Sequence, residues 1–200
     1  MKAREPFNSL ALKNKFPEAY REFFSRCQIV VSSPHFFTWS GEYVGYFGGM
    51  MTLQKLPLRL YVGLEFYSQH QGNNKIAFNS ENKSFSQKER RFVKDQYDHL
   101  TQGRLTNFLN QNIKLPAGEA VKIHLFSEVP FGGSGSTGAL CSGLAVAFAL
   151  ADKTINQDNL TKWSQNTCCE LLANKKYKFN TILRMAWKMQ AIMRGKESTG

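Results

Sequence analysis

Between Glu128 and Cys141 the chain reads Glu-Val-Pro-Phe-Gly-Gly-Ser-Gly-Ser-Thr-Gly-Ala-Leu-Cys, glycines and hydroxyls followed by an almost wholly apolar run. Residue types in this order can bind an anion. Gly132, Gly133 and Gly135 let backbone N–H groups converge, because no side chain blocks the approach. A helix starting just after them adds unpaired amides and the positive end of its dipole. Ser134, Ser136 and Thr137 can donate to phosphate oxygens or help hold a divalent cation. An all-round apolar helix must be buried, and burial would hold the turn rigid. The same residues also read as an ordinary Gly/Ser-rich turn that caps a helix. A P-loop is excluded because no lysine follows the last glycine, and a dinucleotide fingerprint because Asp152 arrives early and without a strand before it.

The elements that must position this turn follow from hydrophobic spacing. Val121, Ile123 and Leu125 fall on one face of a strand over residues 120–129, and a helix over 137–152 follows the turn. Earlier, Phe16, Tyr20, Phe23 and Phe24 predict a helix over 16–27, and the β-branched run at 28–33 predicts a strand. A further strand is expected over 58–67, with residues 75–79 pairing to it. Residues 86–112 carry Phe92, Tyr97, Leu100, Leu105, Phe108 and Leu109 at helical spacing, so one or two helices broken near Gly103 are expected. Helices at 158–173 and 179–194 complete the chain. Strands early and helices late make an α+β domain.

The bulk numbers fit one such domain over residues 1–200. At 200 residues, 42% hydrophobic and 20% charged, the chain is globular and long enough for one substantial core. No run approaches the roughly 20 apolar residues of a bilayer span, and no secretory h-region follows the N-terminus. A reducing cytoplasm is therefore expected. Cys27, Cys141, Cys168 and Cys169 lack CxxC spacing, so neither a disulfide framework nor a zinc site is expected. His35, His70, His99 and His124 share no metal-ligand spacing. The net charge of +11 fits nucleic acid, an anionic membrane surface or phosphorylated small molecules. The bases run diffusely from Lys2 to Lys196, densest at Lys175, Lys176 and Lys178. Such a spread reads first as a solvated surface, with nucleic acid as the lesser reading.

The glycine segment resembles the second signature of the GHMP kinases, the galactokinase, homoserine kinase, mevalonate kinase and phosphomevalonate kinase family. In galactokinases that pattern is roughly P-x-G-x-G-L-S-S-S-A. Pro130, Gly132, Ser136 and Ala139 match it without a gap, and Thr137 is a conservative replacement. Ser134, Gly135 and Gly138 stand where the pattern has glycine, leucine and serine. A second stretch from Ser33 to Gly49 resembles the family's first signature, with Pro34, Gly41, Glu42, Tyr43, Tyr46, Gly48 and Gly49 matching in order.

The resemblance implies an N-terminal, nucleotide-binding domain of GHMP type, a mixed sheet packed against helices, with ATP and Mg²⁺ as cofactors. Pro130, Gly132, Gly133, Ser134, Gly135, Ser136 and Thr137 would wrap the ATP phosphates, with Ser136 or Thr137 near the metal. Glu42, Tyr43 and Tyr46 would line the substrate side, a carboxylate being suited to gripping sugar hydroxyls. The expected partner is a small-molecule alcohol, a sugar if the galactokinase-like continuation through Tyr46 and Gly49 holds. Departures accompany it. The family's basic residue falls on Phe36, with His35 and Arg59 as the nearest substitutes, and the galactokinase aspartate falls on Gly45. The catalytic aspartate would lie beyond Gly200, so no catalytic residue is assigned and the C-terminal domain is expected to be missing. A catalytically silent binding module is the alternative. Glu128 reads as structural.

Overall fold

The computed structural model describes residues 7–40, 49–68, 75–86, 88–95, 99–115, 118–131, 135–174 and 178–195. Two short helices open it. In α1 (Ser9–Lys15) the Asn8 side chain accepts from the Ala11 amide at 2.9 Å, a standard N-cap. Helix α2 (Pro17–Arg26) begins on a proline, whose missing N–H would have no helical partner there anyway.

Among the described residues, six strands form one mixed sheet: β1 (Ile29–Ser40), β2 (Thr52–Ser68), β3 (Ile76–Phe78), β4 (Asn82–Ser86), β5 (Arg91–Asp95) and β6 (Glu119–Ser127). Their order is β1-β2-β6-β4-β5, with β3 also on β6. The β1–β2, β2–β6 and β4–β5 pairs are antiparallel, whereas β3 and β4 run parallel to β6. The remaining helices are α3 (His99–Asn112), α4 (Ser136–Ala151), α5 (Gln157–Ser164), α6 (Cys168–Ala173) and α7 (Phe179–Met193).

The pleat of β2 and β6 sorts the core into two halves. Leu60, Val62 and Leu64 of β2 and Val121, Ile123 and Leu125 of β6 point to one side, into a core they share with α3, α4 and α7. Tyr61 and Phe126 point to the other, beneath Leu12 of α1 and Tyr20 and Phe23 of α2. Helix α4 therefore lies between the sheet and α7, which explains why it is apolar all round. The layered α+β architecture is the one expected.

Several elements differ from expectation, each for a packing reason. Residues 75–79 pair with β6, not with the strand over 58–67. Both early strands extend beyond the expected limits and pair with each other as far as Ser40 and Thr52. The helical reading of 86–112 fails over its first part, where β4 and β5 form a hairpin. Phe92 on that hairpin lies 4.5 Å from the Phe126 ring and 5.4 Å from Phe16, centroid to centroid. Aromatic burial there overrides the helical spacing. In α3 the helix runs through Gly103 unbroken. An added Cβ at Gly103 would meet nothing, and the fully buried Leu105 and Leu109 hold the helix in place. The expected helix over 158–173 is two, separated where Thr167 forms a capping box with Glu170.

Candidate functional site

Strand β6 ends at Ser127, and the next residue fixes where the glycine turn begins. Glu128 is completely buried. Its Oε1 accepts from the Tyr20 hydroxyl at 2.6 Å and the Tyr61 hydroxyl at 3.1 Å. Its Oε2 accepts from the Arg59 amide at 2.8 Å and from the Ser9 hydroxyl. Four donors drawn from α1, α2 and β2 thus meet one carboxylate, and the Glu128 amide itself donates to the Arg59 carbonyl at 2.9 Å. A buried charge is tolerated when every lone pair is used in this way. Burial first, and then the adjoining carboxylate, holds both tyrosine hydroxyls well above their ordinary pKa. The structural reading of Glu128 holds. Its partners Ser9, Tyr20 and Tyr61 carry no sequence signal that would have linked them to it.

At the far end of the turn Gly135 takes φ +68° and ψ 16° and becomes the N-cap of α4. This left-handed conformation favours glycine. An added Cβ would make only ordinary contacts, 3.4 Å from the Phe36 carbonyl oxygen and 3.5 Å from the Phe36 nitrogen. Strand β1 therefore passes directly beside the start of α4, and the two signature-like stretches meet although they are far apart in the chain. The first helical hydrogen bond runs from Ala139 to Gly135 at 3.1 Å. The amides of Ser136, Thr137 and Gly138 precede it and have no carbonyl of their own helix to bond. Gly135, the N-cap, has no side chain with which to cap them. A Cβ added at Gly138 would meet no atom within 4 Å, so the first turn of α4 has free space on that side.

Of the residues singled out for phosphate, Pro130 is half-buried beside the turn, Gly135 is exposed, Ser136 is buried and Thr137 half-buried. Gly132, Gly133 and Ser134 lie outside the described residues, as do Glu42, Tyr43 and Tyr46. Neither substitute for the missing cation is held loose. His35 is completely buried with Nε2 3.3 Å from the Ser127 hydroxyl. Arg59 donates from Nε to the Ser32 hydroxyl at 2.8 Å and from Nη2 to the Ser32 carbonyl at 3.1 Å. Phe36, where the family has a base, is 38% exposed.

The donor set suits a polyphosphate bound through amides and hydroxyls. Thr137 is the more exposed of the two hydroxyls, Ser136 being buried. Among the described residues no group of histidine, cysteine or carboxylate side chains is arranged to hold a metal by itself, and Cys27 and Cys141 are free thiols. Burial pushes Cys27 up to about 11 and Cys141 up to about 12, which leaves both unreactive at neutral pH.

Sheet, turn and buried helix define an α+β domain with the GHMP-kinase type of fold. A mevalonate kinase from methicillin-resistant Staphylococcus aureus MRSA252 superposes with a TM-score of 0.50 at 17% identity, covering 84% of this chain and 46% of that one. Mevalonate kinase from Methanococcus jannaschii gives 0.48 at 14% identity, with 85% and 48% covered. A further mevalonate kinase gives 0.49 at 13%, with 86% and 49% covered. The chain spans about half the length of these structures, and at such identities the likeness is one of fold alone. No protein-family model and no curated protein matches the sequence. Among the described residues no helix is long and apolar enough to cross a membrane.

Proposed function

We propose that this chain is the nucleotide-binding part of a GHMP-type kinase, which binds MgATP at the turn ahead of α4 and serves phosphoryl transfer to a small-molecule hydroxyl. The observation that supports it most is the open first turn of α4, begun by a left-handed Gly135 and set against β1 at Phe36. Phosphoryl transfer asks little covalent chemistry of a protein; it asks for positioned donors and neutralised charge. The amides of Thr137 and Gly138 supply donors aimed by a helix whose other sides are buried. Thr137 would help hold Mg²⁺, whose role is to bridge and neutralise phosphate oxygens. Glu42, Tyr43 and Tyr46 are the residues proposed to meet the acceptor, a sugar on the galactokinase-like reading.

One observation favours a second reading. Phe36 occupies the position of the family's base and lies against the helix start, where a phenyl ring cannot stabilise developing negative charge. A nucleotide-binding module without transfer activity fits that position better. Equilibrium binding of a fluorescent ATP analogue, with and without Mg²⁺, tests the shared premise. Affinity should be micromolar, and Gly135→Asp should abolish it by placing a carboxylate and a strained backbone at the turn. An intact, folded chain that does not bind the analogue would overturn both readings. Product formation from a panel of sugars and other alcohols then separates them.

A further inference from the structure

Charge is distributed unevenly over this molecule. On the α2 and β4–β5 side, five bases are paired: Arg21 with Glu18, Arg26 and Lys83 with Glu22, Arg91 with Glu89, and Lys94 with Glu81. Helix α7 is the opposite. Residues 171–196 contain no aspartate or glutamate, and among the described residues Lys178, Arg184 and Lys188 form no ion pair. The buried side of α7 is fixed by Ile182, Ala186 and Met189 in the core. Its outward stripe is therefore fixed as well. Asn180, Arg184, Trp187 and Lys188 follow one another at helical spacing, and all are exposed. Trp187 is 63% exposed, one turn from Arg184 and adjacent in sequence to Lys188. At the start of the stripe, Asn174, Lys178, Phe179, Asn180, Thr181 and Arg184 line a cleft of about 270 Å³, with no carboxylate among the described residues lining it. From Lys178 to Lys188 the helix rises about 15 Å.

We propose that this face of α7 binds single-stranded nucleic acid, with Lys178, Arg184 and Lys188 on phosphates and Trp187 stacked on a base. Unpaired cations interleaved with an exposed ring are what a strand of alternating phosphates and π-faces requires. An anionic membrane fits the face less well. A helix lying in a membrane surface buries an apolar side, and the apolar side of α7 is already spent on the core. The inference is independent of nucleotide binding at the α4 turn.

The test is fluorescence anisotropy of labelled oligo(dT) and oligo(U) strands against the full chain, over 50–200 mM salt. Both strands should bind, and a preference for oligo(U) would assign the partner as RNA. Trp187→Ala should weaken binding about tenfold. Arg184→Gln with Lys188→Gln should lower the slope of log K against log salt by about 1.4, as two released counterions on a single strand require. Lys88→Gln with Lys114→Gln, the same charge change at exposed sites elsewhere, should leave the Trp187-dependent affinity in place. Thermal melting checks that each variant is folded. The proposal fails if no strand binds at 50 mM salt, or if Trp187→Ala has no effect. It fails equally if polyglutamate or phosphatidylserine vesicles bind as tightly as the strands with the same dependence on Trp187.

Discussion

The two sides of the β2–β6 pair solve the same burial problem with different chemistry. Toward α4 the sheet presents Leu60, Val62, Leu64, Val121, Ile123 and Leu125, and the helix meets them with alanine, leucine and glycine. Toward α1 and α2 it presents Tyr61 and Phe126, and the answering layer is aromatic and wrapped around the Glu128 carboxylate. Tyr20 alone has ring centroids within 4.8 Å of Phe126 and 5.8 Å of Phe92. Shape fixes the first side, and hydrogen-bond direction fixes the second. The glycine segment has Glu128 on the second side at its start and Ser136, the first residue of α4, on the first side at its end. Its start is held by polar contacts and its end by close packing, so two unlike kinds of damage should reach the same site.

Removing the carboxylate should show the largest effect. Glu128→Ala would leave the Tyr20, Tyr61 and Ser9 hydroxyls and the Arg59 amide without their acceptor. Each orphaned buried donor costs about 1–3 kcal/mol, so a loss of at least ~3 kcal/mol is expected in urea unfolding. Glu128→Gln keeps the shape but turns an NH₂ toward donors, and should lose roughly half as much. A loss below 1 kcal/mol for the alanine variant would mean that the polar clamp does not organise this side.

Close approach comes next. At Gly63, facing α2, an added Cβ would sit 2.4 Å from the Cys27 sulfur and 3.0 Å from the Phe23 ring. Gly63→Ala should therefore destabilise by about 1–3 kcal/mol, the usual cost of overpacking. Adding Cys27→Ala should return part of that loss, and a double-mutant cycle measures how much. On the α4 side the test lies within one helix. Gly143→Ala brings a methyl 2.8 Å from Cγ2 of Val62 and 3.3 Å from the Ser33 hydroxyl. Gly138→Ala meets nothing. Helix propensity favours alanine at both by roughly 1 kcal/mol. Only Gly138→Ala should keep that gain, whereas Gly143→Ala should be destabilising. Two stabilised variants would show that α4 is not seated as closely as Gly143 implies.

How much of this was legible in the sequence depended on whether the signal was local. The run from Ser136 to Ala151 is apolar on every side, and that alone placed a buried helix behind the glycines. The alternation of Val121, Ile123 and Leu125 gave β6 its inward face. Phe92 misled because helical spacing and a hairpin buried among rings both ask for an aromatic at that position, and only tertiary packing decides. The pairing of β3 with β6 is parallel and non-local, so residues 75–79 could not announce it. Glu128 read as structural from its place before the turn, yet the four donors that make it so come from three separate elements. The Phe36 departure was visible from the signature. Its nearness to Gly135 was not, since that depends on how β1 lies beside α4.

The smallest expected effect is a pH dependence arising on the α2 side. His124 on β6 is 6% exposed. Its Nε2 lies 2.6 Å from the Glu65 carboxylate and its Nδ1 3.0 Å from the Asn79 amide nitrogen. The Asn79 NH₂ can only donate, so Nδ1 accepts and the proton sits on Nε2, shared with Glu65. Burial lowers the imidazole pKa below 6.5, outweighing the opposite pull of Glu65, while Lys122 and Arg26 add to the lowering. Glu22, Glu81 and Lys83 line the cleft beside it. As the pH falls through 6.5 the unfolded chain takes up a proton that the folded chain still refuses, so stability declines with pH over that window. His124→Gln should flatten this part of the curve while leaving the midpoint at pH 8 nearly unchanged. A curve that keeps its slope in the variant would move the pH sensitivity elsewhere. The glycine variants on the α4 side leave the His124–Glu65 contact in place, so they should shift the curve without flattening this part of it.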